Sequence, residues 1–325
     1  MKIIMSPYGW LPAAESGWRA RLRFHCAWYG FTVLNARSDA MLPWTGEYGN
    51  VLPAHHAATG KNFVSADAWA FYLQRRQEGW GVEPGRCTGN LLSSQALTLN
   101  LFGTLSGDLA WCTRTLAKIL GWTEGAVTRV RVEYAPRQPS LFLGDKTRID
   151  VLVEWQSGTR TKLLAVEVKL ADRYVSRVLN IETQPRYAAL WQRSTRWKSV
   201  SDSPRLNQIF RLHALAEVIS EQQFSTRDAE SPTLLLLHHD LDPEAQAVMS
   251  EYQLHLVLEA QSSAQRATLS EFLCAMADTA HTVDHQALAQ ALRARYVALD
   301  ASECAYQDHL LREKSERERL RRRRG

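Results

Sequence analysis

The chain has 325 residues, of which 45% are hydrophobic and 22% charged, so it can bury a large core in one or two domains. No apolar run approaches the roughly 18 residues that a membrane span needs, and the first apolar run is too short for a secretory signal. The last fifteen residues, LREKSERERLRRRRG, hold eight Lys or Arg and three Glu, which accounts for the whole net charge of +5, so overall charge alone does not indicate a nucleic-acid-binding surface.

The five cysteines are widely scattered, at positions 26, 87, 112, 274 and 304. Because no two of them form a CxxC pair, the sequence indicates neither a structural zinc site nor a disulfide framework. Free thiols persist in a reducing compartment. The sequence therefore predicts a cytoplasmic protein with no membrane partner.

Residues 1–90 are rich in aromatic side chains, with six tryptophans at positions 10, 18, 28, 44, 69 and 80. Many Gly and Pro residues fall between them, so we expect an irregular segment that packs on the core through its tryptophans. Cap signals and apolar periodicity then predict helices at 65–77, 93–105 and 108–121. The first two open on serines, and the third stops at Gly121.

The residue pattern next changes to a period of two, which indicates strands at 127–134, 149–155 and 163–170. In the first of these strands, Val130, Val132 and Tyr134 are expected to share one face. Three strands in succession, with a short turn between the last two, predict an antiparallel meander.

The remainder of the chain alternates helices and strands. Apolar periodicity predicts further helices at 183–195, 204–220, 263–278 and 284–299, and apolar runs predict further strands at 233–239 and 252–259. The tail, 311–325, is expected to be a solvated helix or disordered. Together these elements predict an α/β protein with a central mixed sheet flanked by helices.

The hairpin 149–170 is unusual because it carries charges inside two otherwise apolar strands. Glu167 and Lys169 are two residues apart and share a face, and antiparallel pairing brings Asp150 beside Glu167. Two carboxylates this close repel unless a cation intervenes, and Mg²⁺ prefers such oxygen ligands. A neighbouring lysine can position an attacking water or stabilise charge on phosphorus. The set suits hydrolysis of a phosphodiester; the alternative interpretation of the same spacing is a solvated sheet face.

The motif RID (148–150, within RIDVLVEW, 148–155), followed by LLAVEVK (163–169, within LLAVEVKL, 163–170), resembles the signature of the PD-(D/E)xK nuclease superfamily. These motifs are preceded by LLSSQALTLNLFG (91–103) and followed by NQIFRLHALAE (207–217). More narrowly, the order is similar to that of a bacterial group with an SSQ-containing helix before the active-site hairpin. The resemblance covers roughly residues 65–240 and implies a restriction-endonuclease-like fold. It divides the chain into an N-terminal segment (1–90), a nuclease core (91–242), a strand and helical extension (243–310) and a basic tail (311–325).

The resemblance implies that Asp150 and Glu167 are the metal-binding acids and that Lys169 is the catalytic lysine. Many members of the superfamily add an acid from an upstream element, and Glu133 is the first candidate for it. Ile149 stands where some members have a proline before the first acid, a departure that is common in the superfamily.

Other polar residues are weaker candidates for the same site. Glu83 is a second choice for the additional acid. Gln95 and Asn100 lie on the predicted SSQ helix, where the resemblance implies a supporting role and where a helix start alone explains the serines before them. Gln208 lies on an apolar stripe that faces the body of the protein, so it needs a buried polar partner. Arg211, one turn on, could contact backbone phosphate or simply be a surface arginine.

The resemblance implies a Mg²⁺-dependent deoxyribonuclease that leaves a 5′-phosphate, with Mn²⁺ able to substitute and with a setting in restriction, phage defence or DNA repair. RNA is an alternative substrate. A different class of function is a catalytically silent module with the nuclease fold that binds nucleic acid or serves assembly. A homo-oligomer, or a protein partner bound through the C-terminal region, also stays open at this point.

Overall fold

A mixed five-stranded sheet lies at the centre of this computed structural model, which describes residues 3–12, 15–36, 48–79, 81–174, 179–224 and 230–322. In spatial order its strands are β3 (Ala126–Tyr134), β4 (Ile149–Ser157), β5 (Arg160–Lys169), β6 (Thr233–His238) and β7 (Ala264–Thr268). The pairs β3–β4 and β4–β5 are antiparallel, and the pairs β5–β6 and β6–β7 are parallel. A separate hairpin joins β1 (Ile3–Ser6) to β2 (Gly9–Pro12).

Helices cover both faces of the central sheet. In chain order they are α1 (Gly17–Thr32), α2 (Ala54–Ala58), α3 (Ala66–Gln77), α4 (Ser94–Thr98), α5 (Thr104–Ser106), α6 (Leu109–Leu120), α7 (Pro185–Arg193), α8 (Pro204–Gln223), α9 (Ala245–Gln253), α10 (Leu269–Asp278), α11 (Val283–Tyr296) and α12 (Glu303–Arg322). A π-helical segment, Leu99–Gly103, joins α4 to α5. None of the described helices is long and apolar enough to cross a membrane.

The alternating side chains of the sheet feed two separate hydrophobic cores. On β5, Leu164, Val166 and Val168 belong to one core, together with residues of α1, α6, α10 and α11. Leu163 and Ala165 belong to the other core, which is closed by α7, α8 and α9. This alternation follows from the period of two along a strand. It places Glu167 and Lys169 on the same face of the sheet as α8.

Most of the predicted elements are confirmed. The antiparallel meander is formed by β3, β4 and β5. Ser65 caps α3 by accepting a hydrogen bond from the backbone N–H of Ala68. Gly121 ends α6 in the left-handed conformation, at a φ of 69°, as expected for a C-terminal glycine. The α/β class and the central mixed sheet flanked by helices are likewise confirmed.

The predicted strand at 252–259 is wrong. This stretch is the end of α9 followed by a 3₁₀ turn, and the fifth strand of the sheet is β7, inside the predicted helix 263–278. Tyr252 and Leu256 are buried, whereas Leu254 and Leu258 are 66% and 78% exposed. The buried pair is therefore spaced by four residues, as on a helix, and the apparent alternation does not mark two sheet faces.

The N-terminal segment is more regular than expected, because it contains the sixteen-residue helix α1. Phe24, His25 and Ala27 are all buried on it, so partners surround the helix and no single apolar stripe shows in its sequence. Trp18 and Trp69 pack against the first core, as predicted. Trp44 and Trp80 lie outside the described residues.

Tyr134 does not share a face with Val130 and Val132. The two valines lie in the first core, whereas Tyr134 packs against the second. Glu133, which lies between Val132 and Tyr134, has a positive φ of 47°. This backbone conformation is uncommon for a residue with a side chain, and it turns the strand. The break in alternation falls at a residue already singled out as a candidate metal ligand.

Acidification is expected to weaken the packing of α1 through His25. This imidazole is buried between the Ser302 hydroxyl and the Ala294 carbonyl. Burial is the main cause that lowers its pKa from 6.5 to about 4. As the pH falls, His25 takes up a proton in the unfolded chain before it does so in the folded protein. The neutral imidazole therefore contributes stability above pH 6.5, and this stability is lost as the pH falls towards 4. His25 alone should cost about 2 kcal/mol of unfolding free energy by pH 5.

Urea unfolding at pH 7.5 and pH 5 tests this expectation. A His25→Gln variant should lose less stability between the two pH values than the wild type does. The control is His55→Gln on α2, where the imidazole is exposed and meets water in both states. An equal pH dependence in all three proteins would contradict the assignment to His25.

Candidate active site

The hairpin of β4 and β5 brings two acidic side chains together. Its register pairs Val151 with Val166, so Asp150 and Glu167 lie side by side one step further along the strands. Asp150 Oδ2 accepts a hydrogen bond of 2.8 Å from the backbone N–H of Val168. This bond fixes the position of the Asp150 carboxylate against β5.

Lys169 and Gln208 form a network with Glu167. The Lys169 ammonium lies 2.7 Å from Glu167 Oε1 and donates to Gln208 Oε1 at 3.0 Å. Gln208, on α8, donates in turn from Nε2 to Glu167 Oε1 at 2.6 Å. Both Glu167 and Lys169 are buried. The glutamine therefore finds the polar partners that its place on an apolar helix face requires.

Glu133 approaches the same carboxylates from β3. Its side chain accepts a hydrogen bond from Gln95 and interacts with the charge of Glu167. Arg148 Nε lies 3.8 Å from Glu133 Oε2. The Glu133 residue is only 2% exposed, so its left-handed backbone aims a charged side chain into the protein interior.

Gly81 lies close to these residues and constrains their positions. Its carbonyl accepts hydrogen bonds from Gln95 Nε2 at 3.1 Å and from Arg148. Gly81 has a φ of 128°, and a Cβ there would lie 2.3 Å from the Arg75 guanidinium and 3.2 Å from the Glu133 carbonyl. Only glycine satisfies both conditions, so the segment before the SSQ helix supports the site closely.

The electrostatics of the cluster disfavour three negative charges without a cation. Burial is the main cause that raises the pKa of Asp150, and the charges of Glu167 and Glu133 raise it further. Burial likewise raises the pKa of Glu167 and takes that of Glu133 to about 7. For Lys169, burial acts to lower the pKa, but the Glu167 and Asp150 carboxylates outweigh it and keep the ammonium charged.

The residues of this cluster fit a hard divalent cation. Glu167 Oε2 is buried and has no hydrogen-bond partner among the described residues, although a buried carboxylate oxygen normally has one. Asp150, Glu167 and Glu133 offer only oxygen ligands, which Mg²⁺ prefers. A bound cation would satisfy the unpartnered oxygen and favour the charged forms of carboxyl groups whose pKa values are raised mainly by burial.

The other candidates from the sequence lie at varying distances from this cluster. Arg211 donates to Asp145 Oδ2 at 2.9 Å, in a network that also includes Tyr187. Asn100 bonds Val64, Asn62 and Tyr296, and so ties the N-terminal segment to α11. Glu83 is exposed, and its backbone N–H donates to Gln95.

A second group of ligand-type side chains lies apart from the hairpin. Asp108 Oδ2 is 3.5 Å from His281 Nε2 and 3.8 Å from His285 Nε2. An imidazole that binds a metal normally donates its other N–H to a partner. His285 Nδ1 has no partner among the described residues, and Arg114 donates to Nδ1 of His281. Because neither histidine meets that condition, we place the candidate metal site at the hairpin.

Sequence reasoning overlooked two residues of the site. Arg148 is the first residue of the motif RIDVLVEW, and its charge two residues before Asp150 was the signal that could have found it. Tyr174 lies in the loop after β5, with its ring centroid 5.8 Å from the Lys169 ammonium and its hydroxyl bonded to Asp242. Nothing in its local sequence indicates this contact.

Two paired strands bring acidic side chains beside a lysine, on a mixed sheet flanked by helices. A family model described as the PD-(D/E)XK nuclease superfamily matches residues 13–298. The chain therefore belongs to the PD-(D/E)XK nuclease superfamily. The match extends beyond the range 65–240 on both sides, and so takes in α1, α10 and α11. The narrower likeness to a group with an SSQ helix stays a prediction.

Comparison with curated proteins gives no match, and comparison with solved structures gives none either.

Proposed function

We propose that the protein is a Mg²⁺-dependent nuclease that hydrolyses DNA phosphodiester bonds, with Mn²⁺ able to substitute. One observation carries the proposal: Asp150, Glu167 and Lys169 lie close together on the hairpin, and Glu167 Oε2 is buried there with no hydrogen-bond partner in the described part of the chain. A catalytically silent module has no reason to keep this costly arrangement, because buried like charges destabilise a fold.

Each residue of the cluster has a distinct role in this proposal. Asp150 and Glu167 would hold the cation, with Glu133 as the additional acid. When bound, Mg²⁺ polarises the phosphoryl group and makes a water more acidic. Lys169 orients the attacking water or donates to the phosphate oxygen on which negative charge develops. Gln208 holds Lys169 beside Glu167.

Outside the hairpin, two further residues support the chemistry. Gln95 holds the Glu133 carboxylate, and Arg211, which fixes the loop before β4 through Asp145, is the proposed contact with backbone phosphate. We further propose a 5′-phosphate product and a cytoplasmic role in restriction, phage defence or DNA repair. The C-terminal region is the proposed contact with a second copy or a protein partner.

A cleavage panel tests this function. Wild type and Asp150→Ala are incubated with supercoiled plasmid, linear duplex, single-stranded DNA and RNA, in Mg²⁺, Mn²⁺ or EDTA. The wild type should cut DNA in either metal and not in EDTA, and the variant should be inactive. Conversion of supercoiled to nicked plasmid would identify an endonuclease. Cleavage that survives in the variant would refute the assignment, and intact substrates throughout would favour the silent module.

A further inference from the structure

A groove of about 600 Å³ runs along the free edge of the central sheet. Among the described residues, β3 pairs with β4 on one side only, and residues of α3 and of the segment 135–142 form the other walls. Edge strands are usually covered or blunted. An edge that instead opens into a groove of this size is suited to binding an extended chain.

The lining of the groove is strongly basic. It contains Arg75, Arg129, Arg131 and Arg137, against one acid, Glu78. The local balance is thus +3, whereas the chain without its last fifteen residues is balanced at 31 basic and 31 acidic side chains. This local excess of positive charge matches an anionic ligand.

The four arginines are not equivalent. Arg131 is paired with Glu154, and Arg75 is buried, donating to the carbonyls of Val132 and Glu133. Arg129 and Arg137 are exposed, and within the described ranges neither is paired with a carboxylate. These two guanidinium groups are free to bind phosphate.

Aromatic rings line the same groove as these cations. Phe71, Tyr134 and Phe142 line it and are half-buried. The Arg131 guanidinium lies 4.4 Å from the ring centroid of Tyr134, which leaves the two side chains stacked. A basic groove interleaved with aromatic rings is typical of surfaces that bind single-stranded nucleic acid, because bases stack on the rings and phosphates meet the cations.

The groove begins next to the candidate active site. Val132 lines it, and the following residue is Glu133, whose carbonyl is held by Arg75. Its volume lies in the range of pockets that enclose one drug-sized molecule, which corresponds to about one or two nucleotides.

We propose that this groove binds a single-stranded segment of the nucleic acid beside the bond that is cut. The inference rests on the proposed nuclease function, and it names the form of the substrate that the site takes. Arg129 and Arg137 bind the backbone phosphates, and the aromatic rings of the groove receive the bases.

Fluorescence anisotropy with a labelled 20-nucleotide DNA strand, and with the corresponding duplex, tests the proposal. Ca²⁺ replaces Mg²⁺, and a gel checks that the DNA stays intact. The double variant Arg129→Gln/Arg137→Gln should bind the single strand roughly tenfold more weakly. Its slope of log affinity against log salt concentration should shrink by about 1.4, at about 0.7 for each lost phosphate contact.

The matched control is Arg266→Gln/Arg312→Gln, which removes the same charge. Both arginines are exposed; the first lies on β7, at the opposite edge of the sheet, and the second on α12. The control should bind like the wild type, and the duplex should bind more weakly than the single strand. The groove assignment would be overturned if both double variants lost affinity equally or if neither lost affinity. It would also be overturned if the duplex bound as tightly as the single strand, or if the wild type did not bind.

Cleavage of the same strand in Mg²⁺ is measured in parallel and separates this inference from the proposed function. If the wild type binds the strand through Arg129 and Arg137 but never cuts it, the proposed nuclease function is overturned and the groove assignment stands. If the wild type cuts the strand and the groove variant binds it as tightly as the control does, only the groove assignment is overturned.

Discussion

Replacement of Lys169 by methionine is expected to lower the single-turnover rate of DNA cleavage by about 10²- to 10⁴-fold, the range for loss of a group that stabilises the transition state. Methionine keeps the length of the side chain and removes the ammonium that lies 2.7 Å from Glu167. Quenched-flow measurement with enzyme in excess of DNA gives this rate without interference from product release.

The control is Lys162→Met, the same substitution on the same strand. Lys162 lies 4.5 Å from the ring centroid of Trp122, away from the carboxylates, and its loss should leave the cleavage rate unchanged. Removal of Lys169 also leaves Glu167 buried without its cation, which is destabilising, so unfolding is measured for each protein. A folded Lys169→Met protein that cuts at the wild-type rate would exclude a catalytic role for the lysine.

Asp150→Asn is expected to stabilise the metal-free protein by about 1–3 kcal/mol while abolishing its stabilisation by Mg²⁺. The substitution removes one of three neighbouring acids, and the pKa of Asp150 is raised mainly by burial and further by the charges of Glu167 and Glu133. The amide oxygen of asparagine can still accept from the Val168 N–H, so the hairpin keeps its shape. For a chain of this size the gain corresponds to a rise in Tm of roughly 2–6 °C. Calorimetry with EDTA and with a Mg²⁺ series measures both effects.

Asp145→Asn, on the loop before β4, is expected to have the opposite effect on stability. The Arg211 guanidinium and hydrogen bonds from Thr147 and Tyr187 outweigh burial and hold the pKa of Asp145 below its ordinary value. The charged form therefore contributes stability at neutral pH, and its neutralisation should lower Tm while leaving the Mg²⁺ response intact. If both variants shifted Tm in the same direction, or if Asp150→Asn kept the Mg²⁺ response, Asp150 would not be a metal ligand.

Together the two experiments separate the parts of the cluster. Lys169 is tested for its effect on the rate and Asp150 for its effect on cation binding. A functional cluster of like charges should lower the stability of the protein when no cation is bound. A structural ion-pair network would instead lose stability with every neutralised residue.

The sequence by itself determined the features of this protein that depend on local spacing. Glu167 and Lys169 share a face because they are two residues apart on a strand, and a short turn brings Asp150 back beside them. Gln208 could be placed on the inward face of its helix because Leu212, Leu215 and Ile219 follow it at helical spacing. Caps such as Ser65 and Gly121 act within one turn. In each case the residues that decide the outcome lie close together in the chain.

Only the tertiary structure decided the features that depend on distant partners. β7 is a strand because β6 pairs with it, although its sequence, AQRAT, has no apolar run of its own. α1 is surrounded by partners, so its apolar residues follow no single stripe. Glu133 adopts a positive φ in the middle of an alternating sequence, and its side chain meets Gln95 from a helix that precedes it by many residues. Such choices are made by packing and pairing energies that a local window of sequence does not contain.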